Sequence, residues 1–285
     1  MIKNFILLAI LFVAVNSWAQ KNDLLDELEA DATQVESFEF PAFKAMKIGN
    51  LQSTKVSEGG DMYMYVSHRF GSLKDGVSTF FGLDNANTKI QLLYGIVDGF
   101  QVSLSRESLR KTYAGSAKVK IIGQSDKFPL FISAYTTINY NSAVSKIQYP
   151  NISSIDRLSY SSQLLLARRF SDNFSLEIAP THVRQNIVFE TGQLHDIFAL
   201  GVGGRFKLNK RISLNTDYIY NFNRVEKSIY RNPLTIGIDI ETGGHVFQLL
   251  FSNAQSTNEP SFISNAEGDW NEGNIFFGFN IVRVF

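Results

Sequence analysis

The chain of 285 residues contains no cysteine. That absence excludes a disulfide framework, a thiolate metal site and a thiol nucleophile. Past the first twenty residues no apolar run approaches the roughly 18 residues that a membrane helix needs, so a helical membrane protein is excluded. Net charge is also missing: 27 Lys and Arg offset 27 Asp and Glu. Neither a nucleic-acid surface nor an acidic partner follows from that balance. The four histidines have no short spacing that would suit a metal. Gly201-Val202-Gly203-Gly204 is not a phosphate loop, because no helix follows it. Glycines there relieve crowding or curve a strand.

The sequence is rich in aromatic residues, with 24 Phe and 11 Tyr, at a mean hydropathy of -0.06. Transmembrane barrels combine these properties, because only alternate residues face lipid. The N-terminus reads as a secretory signal over residues 1–19. Lys3 gives the positive start, Phe5 to Val15 the apolar core, and Ser17-Trp18-Ala19 the small-x-small site before Gln20. Residues 20–60 read as an acidic periplasmic extension and connecting segment. Within them 21–34 is helix-favouring, with Leu24, Leu25 and Leu28 at helical spacing. Three roles stay open for 21–34: a periplasmic helix or tail at the barrel mouth, a plug, or a docking peptide for an envelope protein.

From Asp61 the pattern becomes regular. Strands are expected at about 61–70, 88–96, 100–107, 112–123, 128–140, 157–170, 174–187, 196–208, 212–222, 234–241, 244–253 and 274–285. Between Ile212 and Phe222 the residues Ile212, Leu214, Thr216, Tyr218, Tyr220 and Phe222 form one face. Ser213, Asn215, Asp217 and Asn221 form the other, with Ile219 the misfit. The final stretch places Ile275, Phe277, Phe279 and Ile281 at period two and ends on Phe285. Short turns such as Ser171-Asp172-Asn173 and Asn209-Lys210-Arg211 alternate with longer loops at 71–87, 141–156, 188–195, 223–233 and 254–273. Outer-membrane barrels have short periplasmic turns, longer extracellular loops and an even strand count. Phe100, Phe128, Phe170, Phe174, Phe206 and Phe285 fall at one set of strand ends, and Phe70, Tyr113, Tyr140, Tyr160, Phe222 and Phe251 at the other. That sorting suits two interfacial girdles and has no cause in a soluble sandwich. The expected fold is all-β, an antiparallel up-and-down transmembrane barrel of about twelve strands over 61–285.

Several short motifs carry a family resemblance. They are Ser67-His68-Arg69-Phe70-Gly71, Phe81-Gly82-Leu83-Asp84, Gly268-Asp269-Trp270, Phe277-Gly278-Phe279-Asn280 and Arg283-Val284-Phe285. Through them most of the mature chain resembles a domain-of-unknown-function family of outer-membrane barrels of Gram-negative bacteria. The motifs are strand ends and turns, so the resemblance implies fold and location and carries no activity.

The chemistry-bearing candidates are inward-facing charges: Lys118, Lys120, Glu177, Arg205, Lys207, Asp217 and Asp239. Pairing 208 with 212 sets Arg205 diagonal to Asp217. These charges either satisfy one another in a closed lumen or line a polar pathway that selects small solutes. A second arrangement sits on the outer face. A three-residue turn at 171–173 pairs Ser162 with His182, and a hairpin through the next loop that keeps both apolar faces outward sets His182 opposite Asp196. A serine, a base and a carboxylate in reach are the ingredients of a lipid-face hydrolase of the outer-membrane phospholipase type. Loops 141–156 and 254–273, rich in Asn, Asp and Glu, read as solvated. The expected function is a narrow, non-enzymatic channel for small polar or charged solutes, held in outer-membrane lipid, with neither cofactor nor nucleic-acid partner. The alternatives are a closed scaffolding barrel and the lipid-face hydrolase.

Overall fold

Side chains alternate between buried and exposed along the strands, because lipid takes one face and the barrel interior the other. The computed structural model describes residues 41–147, 149–242 and 245–285. The expected signal segment and the 21–34 stretch lie outside these residues. Twelve strands form a closed antiparallel barrel with nearest-neighbour order throughout. They are β1 (Met62–Ser72), β2 (Ala86–Val97), β3 (Phe100–Glu107), β4 (Thr112–Ile122), β5 (Phe131–Asn141) and β6 (Leu158–Arg169), followed by β7 (Phe174–Gln185), β8 (Asp196–Lys207), β9 (Ile212–Asn221), β10 (Leu234–Thr242), β11 (His245–Ser252) and β12 (Phe276–Val284). β12 closes against β1, from Tyr63 opposite Val284 to Ser72 opposite Phe276. Closure leaves no unpaired strand edge, the condition for a sheet to cross lipid.

Most expected strand bounds agree to within about two residues. β5 begins at Phe131 rather than 128, because Ser125 and Phe128 close a turn with their backbones. The pairing of 208 with 212 holds and sets Arg205 opposite Asn215.

The interior departs from expectation in two places. Residues 41–58, expected as a connecting segment, enter the barrel from the short-turn end, and most of their side chains are buried. Residues 253–266, expected as part of a solvated loop, fold inward from the long-loop end and carry a short helix, α1 (Glu259–Ser264), with every residue buried. Asn258 caps α1 by accepting from Ser261 N, and Pro260 sits in its first turn. Both segments are inside for the same reason. β5 to β9 present an apolar inner patch that includes Phe131, Tyr135, Leu165, Ala179, Val183, Ile197, Ala199 and Ile219, and Phe43, Ile48, Leu51, Phe262 and Ile263 cover it. That burial removes apolar surface from water.

Candidate functional site

Residues 41–58 form an irregular plug whose deepest point is a tight turn at Ile48–Leu51. Ile48 N donates to Leu51 O at 2.9 Å, Ser53 N to Met46 O at 3.0 Å, and Lys47 bridges to Gln52. An irregular backbone buried in a barrel cannot draw on a sheet ladder, so other groups must pair its N–H and C=O. The lumen side chains do so. Asp217 Oδ2 accepts from Asn50 N at 2.9 Å, Glu177 Oε2 from Thr54 N at 2.9 Å, and Gln101 Oε1 from Ser57 N at 2.8 Å. Lys118 Nζ donates to three plug carbonyls: Met46 at 3.1 Å, Ser53 at 2.9 Å and Lys55 at 3.2 Å. Gln248 Nε2 donates to Lys47 O and Ile48 O at 3.2 and 3.0 Å, and Asn280 Nδ2 to Gly49 O at 3.3 Å. The Asn50 side chain donates to Thr235 and Ser252 and accepts from Arg69 Nη2 at 2.8 Å.

Two glycines make room for the turn. A Cβ on Gly203 would collide with Ile48 Cδ1, and one on Gly201 would stand 2.9 Å from Leu51 Cδ1. Both positions face inward on β8.

The long-loop filling is anchored separately. Glu107 accepts from Thr257 N at 2.6 Å, Thr257 Oγ1 at 2.9 Å, Ser256 Oγ at 3.0 Å and Asn258 Nδ2. The two fillings meet where Gln52 Nε2 donates to Glu259 Oε1 at 2.7 Å. Burial pushes the Glu259 carboxyl up, but the charges of Lys89 and Lys47 and the Gln52 bond outweigh it and hold it below its ordinary value. Burial pulls the Lys47 ammonium down to about 7, with Lys89 adding to the effect and Glu259 opposing it. A polar cavity of about 590 Å³ opens at the long-loop end, lined by Ser72, Asp75, Asn87, Arg110, Gln255 and Glu267. Another of about 180 Å³, lined by Lys44, Lys55, Tyr63, Glu241 and His245, opens at the short-turn end.

The seven lumen candidates separate into groups. Lys118, Glu177 and Asp217 hold the plug. Asp239 accepts from Gln248 Nε2 at 2.9 Å, one residue removed from it. Arg205, diagonal to Asp217 as expected, instead pairs with Glu241, which also takes Lys44 at 2.9 Å. Lys120 and Lys207 stand near the short-turn mouth, exposed and half-buried. Sequence reasoning missed Arg69, Gln101, Gln248 and Asn280. The signals available for the filling were the inward glycine pair on β8 and the apolar misfit at Ile219.

The outer-face arrangement forms in part. Ser162 lies opposite His182 in the ladder, but His182 stands opposite Phe198 and it is Arg184 that faces Asp196, two residues off the expected register; from that diagonal position His182 Nε2 is 3.0 Å from Asp196 Oδ1. The Ser162 hydroxyl, however, lies 3.2 Å from Thr136 Oγ1, and Asp196 is shared with Arg184. A hydrogen bond from Ser162 to His182 does not occur among the described residues. The histidine is therefore not placed to act as base for that hydroxyl.

With this geometry in view, comparison places the chain among known barrels. The profile of a family described as a membrane bound beta barrel domain (DUF5777) matches residues 43–285. No curated protein matches. The COG4313 outer membrane channel from Pseudomonas putida F1 is similar at 9% identity, over 81% of this chain and 97% of that one, with a TM-score of 0.49. The NanC porin is similar at 9% identity, over 78% and 98%, with a TM-score of 0.47. For the KdgM porin the values are 7%, 78%, 98% and 0.47.

Proposed function

The chain belongs to the family of membrane-bound β-barrel domains, and from that premise we propose that it is a plugged outer-membrane channel for small polar or charged solutes. The observation that carries the reading is how the plug is held. Residues 46–57 are bound to the wall by side chains such as Lys118, Glu177, Asp217 and Gln248, and by no strand pairing with the barrel. Such bonds exchange for water one at a time, whereas the twelve-strand ladder is cooperative. The wall can then persist while the plug leaves. On this reading the lumen charges serve as plug holders in the closed state and as the polar lining of the pathway once the plug is displaced. The polar cavities at the two ends are the entrances that the plug and the inner loop separate.

The apolar contact of Phe43, Ile48 and Leu51 with Phe262, Ile263 and the wall of β5 to β9 favours a second reading, a permanently closed scaffolding barrel. Planar-bilayer conductance separates the two. The mature protein is compared with a Glu177→Gln, Asp217→Asn double variant, which keeps shape but weakens two charge-assisted bonds to the plug. Rare steps in the parent and frequent steps in the variant are expected. Silence from both, with heat-modifiable gel migration showing intact barrels, refutes the channel and leaves the scaffold.

A further inference from the structure

On the outer face of the barrel, the ladder lines up arginine and tyrosine at one level near the long-loop end. Arg106 on β3 lies opposite Tyr113 on β4, and Tyr113 opposite Tyr140 on β5. Farther along, Tyr160 on β6 lies opposite Arg184 on β7. The arginine and tyrosine groups also meet. The Arg106 guanidinium sits 5.7 Å from the Tyr113 ring centroid, and that of Arg157, just before β6, sits 6.0 Å from the Tyr140 centroid. Such stacking holds a guanidinium over an aromatic face and leaves edge N–H groups of Arg106 available to an acceptor, while Arg157 Nη1 donates to the Tyr140 hydroxyl at 3.4 Å.

Two further observations point to a ligand. The tight connection from β3 to β4 places Arg110 and Lys111, neither of them glycine, at φ of 54° and 46°. A left-handed backbone at two successive side-chain-bearing residues costs free energy, and such strain clusters at functional sites. It leaves Lys111 exposed beside Tyr113. Arg157 Nε is also buried with no hydrogen-bond partner among the described residues, an unpaired donor that an incoming acceptor would satisfy.

The arrangement is confined to one side. At the corresponding strand ends of β9 to β12 and β1, the outward residues are Tyr220, Ile236, Phe251, Phe277 and Phe70. Phe70 stacks on Phe277 at 5.7 Å, and Phe277 meets Phe251 at 5.3 Å. A girdle that served only to match the headgroup level would have no cause to gather its cations over β3 to β7. The acids in the arc are Asp196, which pairs with Arg184 and His182, and Asp156, which is taken up by Ser153. Arg106, Lys111 and Arg157 are left as a row of cations spread from β3 to the start of β6.

We propose that this arc is a docking surface for a phosphorylated lipid of the leaflet at the long-loop end, with guanidinium groups on the phosphate and tyrosine rings against the headgroup. Arginine forks match phosphate oxygens in pairs, and a basic patch at the membrane surface attracts anionic headgroups.

The test uses the full barrel in phosphatidylcholine nanodiscs doped with lipid A. Retained lipid is read by native mass spectrometry for the parent, for an Arg106→Gln, Lys111→Gln, Arg157→Gln variant, and for a Lys127→Gln control at the short-turn end. Gel migration before and after boiling confirms that each barrel is folded. The parent and the control should retain lipid A over phosphatidylcholine at least tenfold, and the triple variant should lose that preference. Equal retention by parent and triple variant, or no preference in the parent, overturns the proposal. Displacement of the lipid by millimolar inorganic phosphate also overturns it, because the site would then read phosphate alone.

Discussion

Replacing Lys118 with methionine attacks the plug at a holder that makes three bonds to it. Lys118 is almost wholly buried, 1% exposed, and its ammonium carries the bonds to Met46 O, Ser53 O and Lys55 O. Met46 O also accepts from Ser53 N, so the substitution chiefly strips Ser53 O and Lys55 O. Bonds to a charged group are worth about 1.5–3 kcal/mol each. Losing the ammonium also removes its desolvation cost, which offsets part of that loss. The seat should weaken by about 2–4 kcal/mol. At about 1.4 kcal/mol per tenfold, the released fraction should rise roughly 30- to 700-fold. Methionine keeps the aliphatic stem against Tyr135, whose ring centroid is 5.9 Å from the ammonium, so the wall should survive. Hydrogen exchange followed by mass spectrometry reads the effect in peptides spanning 46–58, with strand amides of β4 and β5 as internal controls. Plug exchange within twofold of the parent, beside protected strands, would show that these bonds do not hold the plug and would sink the reasoning.

Gly203→Val should unseat Ile48, because even a Cβ at that position collides with it; raised plug exchange and conductance steps, with strand protection unchanged, are the expected readouts. An Asn50→Cys, Ser252→Cys pair joins side chains now bonded at 3.0 Å, in a chain with no other thiol. Oxidised, it should silence conductance in the Glu177→Gln, Asp217→Asn background, and reductant should restore it; steps that persist in the crosslinked protein would mean that solute bypasses the plug. The Lys47 ammonium has a value near 7 in the seated plug and about 10.5 when released. Between those values the released state binds more protons, so seating strengthens as pH rises from about 7 toward 10 and stays at its weakest below about 7, where both states carry the proton. Proteolysis within 41–58 should therefore be faster at pH 6.5 than at pH 9, after correction for the protease's own pH profile; the opposite order would contradict the assignment.

The barrel wall was legible because lipid imposes one rule on every strand. Outward residues such as Leu214, Tyr218 and Tyr220 must be apolar or aromatic, and short turns such as Ser171-Asp172-Asn173 fix the registers. The pairings of 208 with 212 and of Ser162 with His182 followed from turn length alone. The lumen was less legible because nothing periodic governs it. Lys118, Glu177 and Asp217 were recognisable as inward charges, but their partners are backbone groups more than sixty residues away in sequence, and no local pattern encodes those contacts. Ile219 looked like an error in its strand. It is fully buried against the inner filling, so the break in alternation was itself the mark of an apolar interior. The acidic residues near 259 suggested solvent for the same reason: the partners of buried Glu259 are carried to it from two other places in the chain, Lys47 and Gln52 from the plug and Lys89 from β2.

Both fillings lead directly into the strands that close the cylinder. The plug runs into β1, and the inner loop with α1 runs into β12, the pair whose ladder completes the ring. Each filling is therefore tethered to a strand of the seam, the plug to β1 and the inner loop to β12. A plug that left its seat would stay joined to the wall beside the seam, so its return would be an intramolecular step at high effective concentration.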